Sequence, residues 1–231
     1  MRLQVFLSHN GVCSRRDAMA LVQAGKVKVN GTVVREPSFN VEEGDDIMAN
    51  GQKVEAKNYV YIMLNKPAGY VTTKDDPHAT KIVMDLFPKD LQHAVPVGRL
   101  DMETEGLLLL TNDGTWAHHL THPKFHVDKT YFVRIRGKLP REKQLRLEHG
   151  VVIEDEKTAP CRIRDVQYNG TDTEFKMMIH EGRKRQIRLM LKAVRSHVHF
   201  LQRQAIGDLT LGDLKLGAWR HLEMKEIKSL R

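Results

Sequence analysis

The sequence predicts an α+β fold with two parts, a small N-terminal domain and a larger domain built on a mixed, largely antiparallel sheet. Residues 2–50 contain two short helical patterns and then alternating valines around an Asn-Gly turn. From residue 59 onward, strand-like runs dominate and short helical stretches separate them. A polar stretch between them, residues 51–58, has no apolar pattern and predicts a linker, hence domains 1–58 and 59–231.

Composition limits the classes of function. The 231 residues are 41% hydrophobic, enough to bury a core, and their net charge is +8. Residues 1–40 carry six Lys/Arg against two Asp/Glu, and residues 181–231 carry twelve against five. Two separated basic regions favour a polyanionic partner, although a basic chain can also be simply well solvated. No apolar run approaches the roughly 20 residues that span a bilayer, and the N-terminus has no signal-peptide core. Two cysteines, Cys13 and Cys161, without metal-type spacing indicate a reducing compartment, the cytoplasm.

The N-terminal elements follow from spacing and caps. An i, i+3, i+4 apolar pattern starting at Leu3 predicts the first helix. Ser14 as N-cap and an apolar stripe starting at Ala18 predict the second. Asn30-Gly31 between alternating valines predicts a hairpin.

Basic side chains accompany the second helix and the hairpin. Arg15 and Arg16 fall in the first helical turn, where cations oppose the helix dipole. Phosphate binding therefore explains them better than helix stability does, and a solvated charged surface is the alternative. Lys26 and Lys28 extend the same group.

The stretch "GRLDMETEGLLLLTNDG", residues 98–114, places acids directly before a hydrophobic run. Four consecutive leucines predict a strand buried on both faces. Asp101, Glu103 and Glu105 are thereby brought to the edge of a dry core. We expect one of these carboxylates to have a chemical role; a turn cap is the alternative for Asp101.

The stretch "EGRKRQIRLMLKAV" predicts an amphipathic helix. Its apolar face has i, i+3, i+4, i+7 spacing and consists of Ile187, Met190, Leu191 and Val194. The opposite face carries Arg185, Arg188 and Lys192, which indicate either an RNA-binding surface or a solvated one. Arg183, extended back along the helix, falls on the protein side and requires a carboxylate partner, because an unpaired buried charge costs several kcal/mol. A structural and a catalytic ion pair both remain open.

These motifs carry a family resemblance. "GRLDMETEGLLLLTNDG" resembles the catalytic-aspartate motif of pseudouridine synthases, and "NKPAGYVTT", "KTYFVRI" and "EGRKRQIRLM" resemble the other motifs of that family. "CSRRDAMALVQAGKVKVNG" resembles the S4 RNA-binding domain, an αL-type fold, over about residues 2–50. In this order the chain resembles, over essentially its whole length, the RsuA/RluB-type family of ribosomal RNA pseudouridine synthases.

The resemblance assigns expected roles. It implies Asp101 as the essential carboxylate, Arg183 as its basic partner and Tyr131 as the ring that stacks on the flipped base. Without the resemblance, Tyr131 and Ile187 would be taken as core residues. The implied substrate pocket consists of Lys66, Arg99, Leu100 and Ile187. RNA contacts are expected from Arg15, Arg16, Lys26, Lys28, Arg185, Arg188 and Lys192.

The implied reaction detaches uracil from C1′ of the ribose, turns it and rejoins it through C5. No bond energy is imported, so we expect no cofactor and no nucleotide. The histidines at positions 118, 119, 122 and 126 are interpreted as surface residues, because no carboxylate or thiol completes a zinc site with them. We therefore expect no metal.

The expected partner is ribosomal RNA or a ribosomal subunit assembly intermediate, with 23S rRNA slightly favoured over 16S rRNA. No membrane contact is expected, and a monomer is the default. A non-catalytic S4-domain RNA-binding or ribosome-assembly factor is the main alternative, since it would need the basic residues but not Asp101. A metal-dependent RNA hydrolase is the third, and loss of activity in EDTA would support it.

Overall fold

The computed structural model describes residues 1–230, which divide into two compact units. One comprises residues 1–60 with the segments 87–95 and 111–114. The other comprises residues 61–86, 96–110 and the chain from 115 onward. The domain boundary after residue 58 remains a prediction.

The first unit begins with a helix pair and continues as a small sheet. Its elements are α1 (Leu3–His9), α2 (Arg15–Gln23), β1 (Val27–Val29), β2 (Thr32–Val34), β3 (Ile47–Ala49) and β4 (Gln52–Lys53). The Ser14 hydroxyl accepts the Asp17 amide and so caps α2 as predicted. Asn30 and Gly31 both have positive φ, which suits the tight β1–β2 hairpin. The sheet order is β2-β1-β3-β4.

The linker prediction for residues 51–58 is partly wrong. Gln52 and Lys53 pair with β3 as a fourth strand, and the Val54 amide donates to the Ile47 carbonyl. Backbone pairing holds this stretch in the sheet although its side chains lack an apolar pattern, so side-chain periodicity could not detect it.

The rest of the chain forms strands with interspersed helices. Its strands are β5 (Tyr61–Lys66), β6 (Val95–Val97), β7 (Glu105–Thr111), β8 (Lys129–Arg136), β9 (Val152–Ile153), β10 (Glu156–Lys157), β11 (Arg162–Tyr168), β12 (Asp172–Ile179), β13 (Val198–Ile206), β14 (Leu209–Thr210) and β15 (Trp219–His221). Its α-helices are α3 (Gly114–Thr121), α4 (Arg141–Glu148), α5 (Gln186–Ala193) and α6 (Met224–Ser229). Short 3-10 helices cover Val83–Leu86, Lys89–Leu91 and Pro123–Phe125.

The large sheet is mixed and mainly antiparallel, which confirms the predicted class. Its order is β11-β12-β8-β13-β7-β5-β15, with β14 on β13 and β6 on β7. The β13–β7 ladder is parallel, whereas the β11–β12, β12–β8, β8–β13 and β5–β15 ladders are antiparallel. The second strand expected after "NKPAGYVTT" is reduced to an isolated bridge between Val71 and Ile82.

Strand β7 is buried on both faces, as the leucine run predicts: Leu107 to Leu110 have no exposed surface. Gly106 opens this run with φ +102°, and a Cβ there would lie 2.3 Å from the Arg203 carbonyl oxygen. Only glycine permits the close approach of β7 to β13 at this point. The acidic loop is therefore fixed in position where it enters the core.

Helix α5 covers one face of the sheet. Ile187, Met190, Leu191 and Val194 are buried against strands β8, β12 and β13, as predicted. The helix begins at Gln186, because Arg185 adopts a left-handed conformation with φ 52°. Arg183 thus precedes the helix and does not extend its apolar face.

Candidate active site

A cleft of about 520 Å³ opens in the second unit. Its walls are the 98–104 loop, the 182–187 segment before and at the start of α5, and residues of β8, β12 and β13. Six residues proposed from sequence line it: Arg99, Leu100, Asp101, Tyr131, Arg183 and Ile187. Arg185, expected only as an RNA contact, lines it as well.

The loop that carries Asp101 is held by the "NKPAGYVTT" segment. The Thr72 hydroxyl donates to the Leu100 carbonyl at 2.7 Å and accepts the Leu100 amide at 3.3 Å. The Gly69 amide donates to the Met102 carbonyl at 2.8 Å. Thr72 and Gly69 thus position the loop. No side-chain pattern predicts this role, because the groups that they bind are backbone amides and carbonyls of the loop.

Lys66 holds the same loop from beneath. Its side chain is fully buried, and its ammonium donates to the carbonyls of Pro67 at 3.0 Å, Asp101 at 3.3 Å, Met102 at 3.3 Å and Thr104 at 2.9 Å. Burial lowers the pKa of Lys66 to about 8, while the carboxylates of Glu105 and Asp101 act to raise it. Lys66 is not among the residues that line the cleft, and its ammonium is bound to backbone carbonyls; its place in the substrate pocket stays a prediction.

The Asp101 carboxylate has no direct polar partner among the described residues. It forms no hydrogen bond or ion pair with another residue in the described part of the chain, although the Asp101 backbone carbonyl accepts the Thr104 amide at 2.9 Å. A fixed backbone with a free, cleft-facing carboxylate can present that group to a ligand as nucleophile or base.

Arg183 is paired, but with a different acid than expected. Its guanidinium donates to the Ile153 carbonyl at 2.9 Å and lies 3.6 Å from a carboxylate oxygen of Glu156. Arg183 thus has a carboxylate neighbour, Glu156, but it does not lie on the apolar helix face from which the need for a partner was predicted, and the implied contact with Asp101 is absent. Glu156 lies on a short hairpin 27 residues upstream, and only tertiary packing brings the two together.

Glu103 pairs with two arginines, one that precedes α5 and one within it. Its carboxylate lies 3.3 Å from Arg185 and 3.7 Å from Arg188. The Arg188 side chain is only 15% exposed, and its burial lowers its pKa, a shift that Glu103 opposes. Arg188 is therefore not a solvated residue, and its contact with Glu103 links α5 to the Asp101 loop; an RNA contact by Arg188 stays a prediction.

Tyr131 and Ile187 belong to the core and to the cleft together. Both pack into the hydrophobic cluster beneath α5, and both reach the cleft wall. Tyr131 is aligned between Met177 of β12 and Arg203 of β13. Tyr131 and Ile187 are therefore core residues that also reach the cleft wall, and stacking of Tyr131 on a flipped base stays a prediction.

The other basic residues expected to bind RNA are exposed. Arg15, Arg16, Lys26 and Lys28 all lie on the surface of the first unit, and Lys192 lies on the surface of α5. Among residues 1–230, no three His, Cys, Asp or Glu side chains are placed to hold a metal ion, and no helix is long and apolar enough to cross a membrane.

Two family matches account for most of the chain. Residues 60–193 match the RNA pseudouridylate synthase family, and residues 1–47 match the S4 domain. The first match spans every cleft residue except those that follow α5. The predicted family and fold type are thereby confirmed.

Individual relatives match this chain over nearly their whole length. The chain is 43% identical to the ribosomal large subunit pseudouridine synthase B of Bacillus subtilis, covering 100% of this chain and 95% of that one. It is 34% identical to the ribosomal small subunit pseudouridine synthase A of Escherichia coli, covering 100% of both. A crystal structure of a pseudouridylate synthase superposes with a TM-score of 0.73 at 32% identity, again over 100% of both chains. The chain therefore belongs to the RNA pseudouridylate synthase family and carries an S4 domain at its N-terminus.

Proposed function

We propose that this protein isomerises a uridine of ribosomal RNA to pseudouridine, with Asp101 as the essential carboxylate. The observation that carries the proposal is the free Asp101 carboxylate on a rigidly held loop in the cleft. Breaking the C1′–N1 bond, turning the uracil and forming the C1′–C5 bond releases one proton from C5, and N1 takes up one proton. The proton leaving C5 needs an acceptor, and a carboxylate beside the base provides one.

Tyr131 and Ile187 are proposed to receive the flipped base. A uridine inside folded RNA has to leave its stack before it can enter a cleft, at a cost of a few kcal/mol. An aromatic ring at the cleft wall offers replacement stacking, and the aliphatic side chain supports that ring from the core. Arg99 and Leu100, next to Asp101, complete the proposed pocket.

Arg183 is proposed as the cation of the cleft. Its partner Glu156 is 79% exposed, so this ion pair contributes little to stability. The guanidinium is thus available to an anion that enters the cleft, either a backbone phosphate of the RNA or Asp101 itself.

The exposed basic residues are proposed to bind RNA phosphates. Outside the cleft, Arg15, Arg16, Lys26 and Lys28 would form one contact surface and Lys192 another, while Arg185 would meet phosphates at the cleft. A ribosomal RNA substrate would place the enzyme in the cytoplasm. Of the two subunits we favour the large one, because the relative named for the large subunit is 43% identical and the one named for the small subunit 34%.

The test is tritium release from RNA labelled at C5 of uridine, since each turnover loses that hydrogen. Fragments of 23S and 16S rRNA are compared as substrates for the wild type, for Asp101→Asn and for Asp75→Asn, an exposed acid of the same unit. We expect the wild type and Asp75→Asn to release tritium from a 23S fragment and Asp101→Asn to release none. Turnover by Asp101→Asn would refute the role of Asp101, and turnover on 16S RNA alone would reverse the choice of subunit.

The competing functions give different results in the same assay. A non-catalytic S4-domain factor binds RNA without releasing tritium. A metal-dependent hydrolase shortens the RNA and stops in EDTA.

A further inference from the structure

The sheet has a second face, across β11, β12, β8 and β13, on the side away from α5. Directly paired residues of neighbouring strands project to the same side, so the register defines the rows of this face. One row contains Arg164, Lys176, Phe132 and Gln202; the next contains Gln167, Glu174, Arg134 and Phe200; the third contains Arg162, Met178, Thr130 and Ala205. We call these residues the outer face.

The outer face is open to solvent. Each of its side chains is exposed or half-buried. The alternating positions of the same strands, among them Ile163, Met177, Val133 and Leu201, are buried under α4 and α5. An open face with two phenylalanines is unusual, because a solvated sheet surface ordinarily alternates to polar residues.

The two phenylalanines form one aromatic patch with an arginine. The rings of Phe132 and Phe200 lie 6.0 Å apart, and the Arg134 guanidinium lies 5.9 Å and 5.7 Å from their centroids. Arg134 is fixed there by a 2.7 Å bond to Glu174. Half-exposed rings beside a planar cation, on a strand surface, are the features on which nucleic-acid bases stack.

Basic side chains border this patch. Arg162 and Arg164 are exposed on the edge strand β11 and form no salt bridge with a residue of the described chain. Lys176 pairs with Asp165 at 2.8 Å, but both side chains are at least half exposed, so the pair exchanges readily with other ions. Phosphates passing over the rings would meet these groups.

A cavity of about 580 Å³, lined by apolar and polar side chains together, adjoins the patch at the β13 end. Three amide side chains line it: Asn65, Gln202 and Gln204. Asn65 is buried, and its Oδ1 has no hydrogen-bond partner although its Nδ2 donates to the Leu214 carbonyl. Amides can donate to and accept from base edges, so this cavity suits an unpaired base.

We propose that the outer face binds a single-stranded segment of RNA, with bases stacked on Phe132 and Phe200 and phosphates held by Arg162 and Arg164. The mixture of rings, amides and unpaired cations favours RNA over an apolar protein partner. This goes beyond the proposed reaction, because the outer face and the cleft lie on opposite sides of the same strands. Nucleotides that flank the modified uridine in the RNA would bind there.

The first test measures binding of a labelled oligoadenylate of about 12 nucleotides, within single-strand site sizes, to the full chain by fluorescence anisotropy. This RNA has no uridine, so catalysis is not involved. We expect Phe132→Leu/Phe200→Leu to weaken binding by about fivefold or more, because two stacking surfaces are lost. The control Phe39→Leu removes a ring that is 41% exposed in the first unit and should bind like the wild type.

The second test uses charge. Replacing Arg162 and Arg164 by Gln should reduce the salt dependence of oligoadenylate binding by about 1 per arginine, whereas Arg146→Gln, exposed on α4, should not. If both outer-face variants bind like their controls, the proposal is wrong. It is also overturned if sedimentation shows a wild-type dimer that Phe132→Leu/Phe200→Leu dissociates.

Ultraviolet cross-linking of the unaltered protein guards against a folding defect in the variants. The cross-linked residue, located within its peptide, should be Phe132 or Phe200, and cross-links confined to the cleft, Tyr131 included, and to residues 1–60 would contradict the proposal. Asp101→Asn should bind oligoadenylate normally, so failure of the outer-face proposal and failure of the proposed reaction give separate results.

Discussion

The buried ammonium of Lys66 makes the support of the Asp101 loop measurable. In Lys66→Met the stem keeps its length, but four loop carbonyls lose their donor. Leaving buried acceptors unsatisfied costs about 1–3 kcal/mol, but the substitution also removes a buried charge whose lowered pKa opposes folding by about 3 kcal/mol, so we expect little net loss of unfolding free energy at pH 7 and a loss that appears above pH 8. The exposed Lys215 provides a matched control as Lys215→Met.

The pH dependence separates the ammonium from a simple packing effect. The pKa of Lys66 falls from 10.5 to about 8 on folding, so between these values the unfolded chain binds the proton and the folded chain does not. The wild type therefore gains about 1.4 kcal/mol of unfolding free energy per pH unit in this window, about 3 kcal/mol in total. Lys66→Met lacks this gain, so its deficit against the wild type should widen from pH 8 to pH 10.5.

Urea unfolding at pH 7, 8, 9 and 10 provides the measurement, because other titrating groups cancel in the difference between the two proteins. Tritium release should also fall by about tenfold or more, since a small displacement of a reacting group is costly. A deficit that stays constant with pH would refute the reasoning: it would mean that the four carbonyls compensate fully for burial of the charge. An equal deficit in Lys215→Met would refute it as well.

Two further predictions concern stability. Gly106→Ala should lower the unfolding free energy by at least about 2 kcal/mol, because the new Cβ would lie 2.3 Å from the Arg203 carbonyl oxygen and φ is +102°. Urea unfolding measures this loss, and a loss no larger than that of an ordinary surface substitution would contradict the predicted clash. Glu226 has its pKa lowered to about 2, chiefly by hydrogen bonds from Arg220, so it stabilises the fold above pH 4.5 and this contribution is lost as the pH falls towards 2. Glu226→Gln should therefore be less stable than the wild type by at most about 3 kcal/mol at pH 6, and the difference should disappear near pH 2; a difference independent of pH would show that the carboxylate charge is not the cause.

Local patterns predicted the elements that carry the site. The stripe of α5, the leucines of β7 and the capped helix α2 were all recognisable, because each depends on side chains close in sequence. Adjacency alone placed Asp101 at the entrance to the core, since the loop and the buried strand share one short segment. The cleft residues of β8 and α5 came from motif resemblance, because no local spacing relates positions 101, 131 and 183.

The partners of the charged groups could not be predicted in the same way. Arg183 was expected to need an acid, but the choice of Glu156 depends on the β9–β10 hairpin and on where α5 begins. Lys66 was expected in the pocket because its motif adjoins it, yet its ammonium finds backbone carbonyls, which every residue possesses and no sequence pattern marks. Such contacts follow from register and loop path, which long-range packing determines.

Strand β8 shows how one register serves two surfaces. Because successive side chains alternate, fixing Tyr131 towards α5 and the cleft forces Phe132 onto the outer face, where β12 and β13 bring Lys176 and Gln202 beside it. A slip of one residue would put Phe132 in the cleft and Tyr131 in solvent, and it would expose Val133. The β7–β13 contact at Gly106 fixes the register of β13 against β7, and β13 in turn pairs with β8. The acidic loop, the cleft ring and the outer-face aromatics are therefore coupled through one strand alignment.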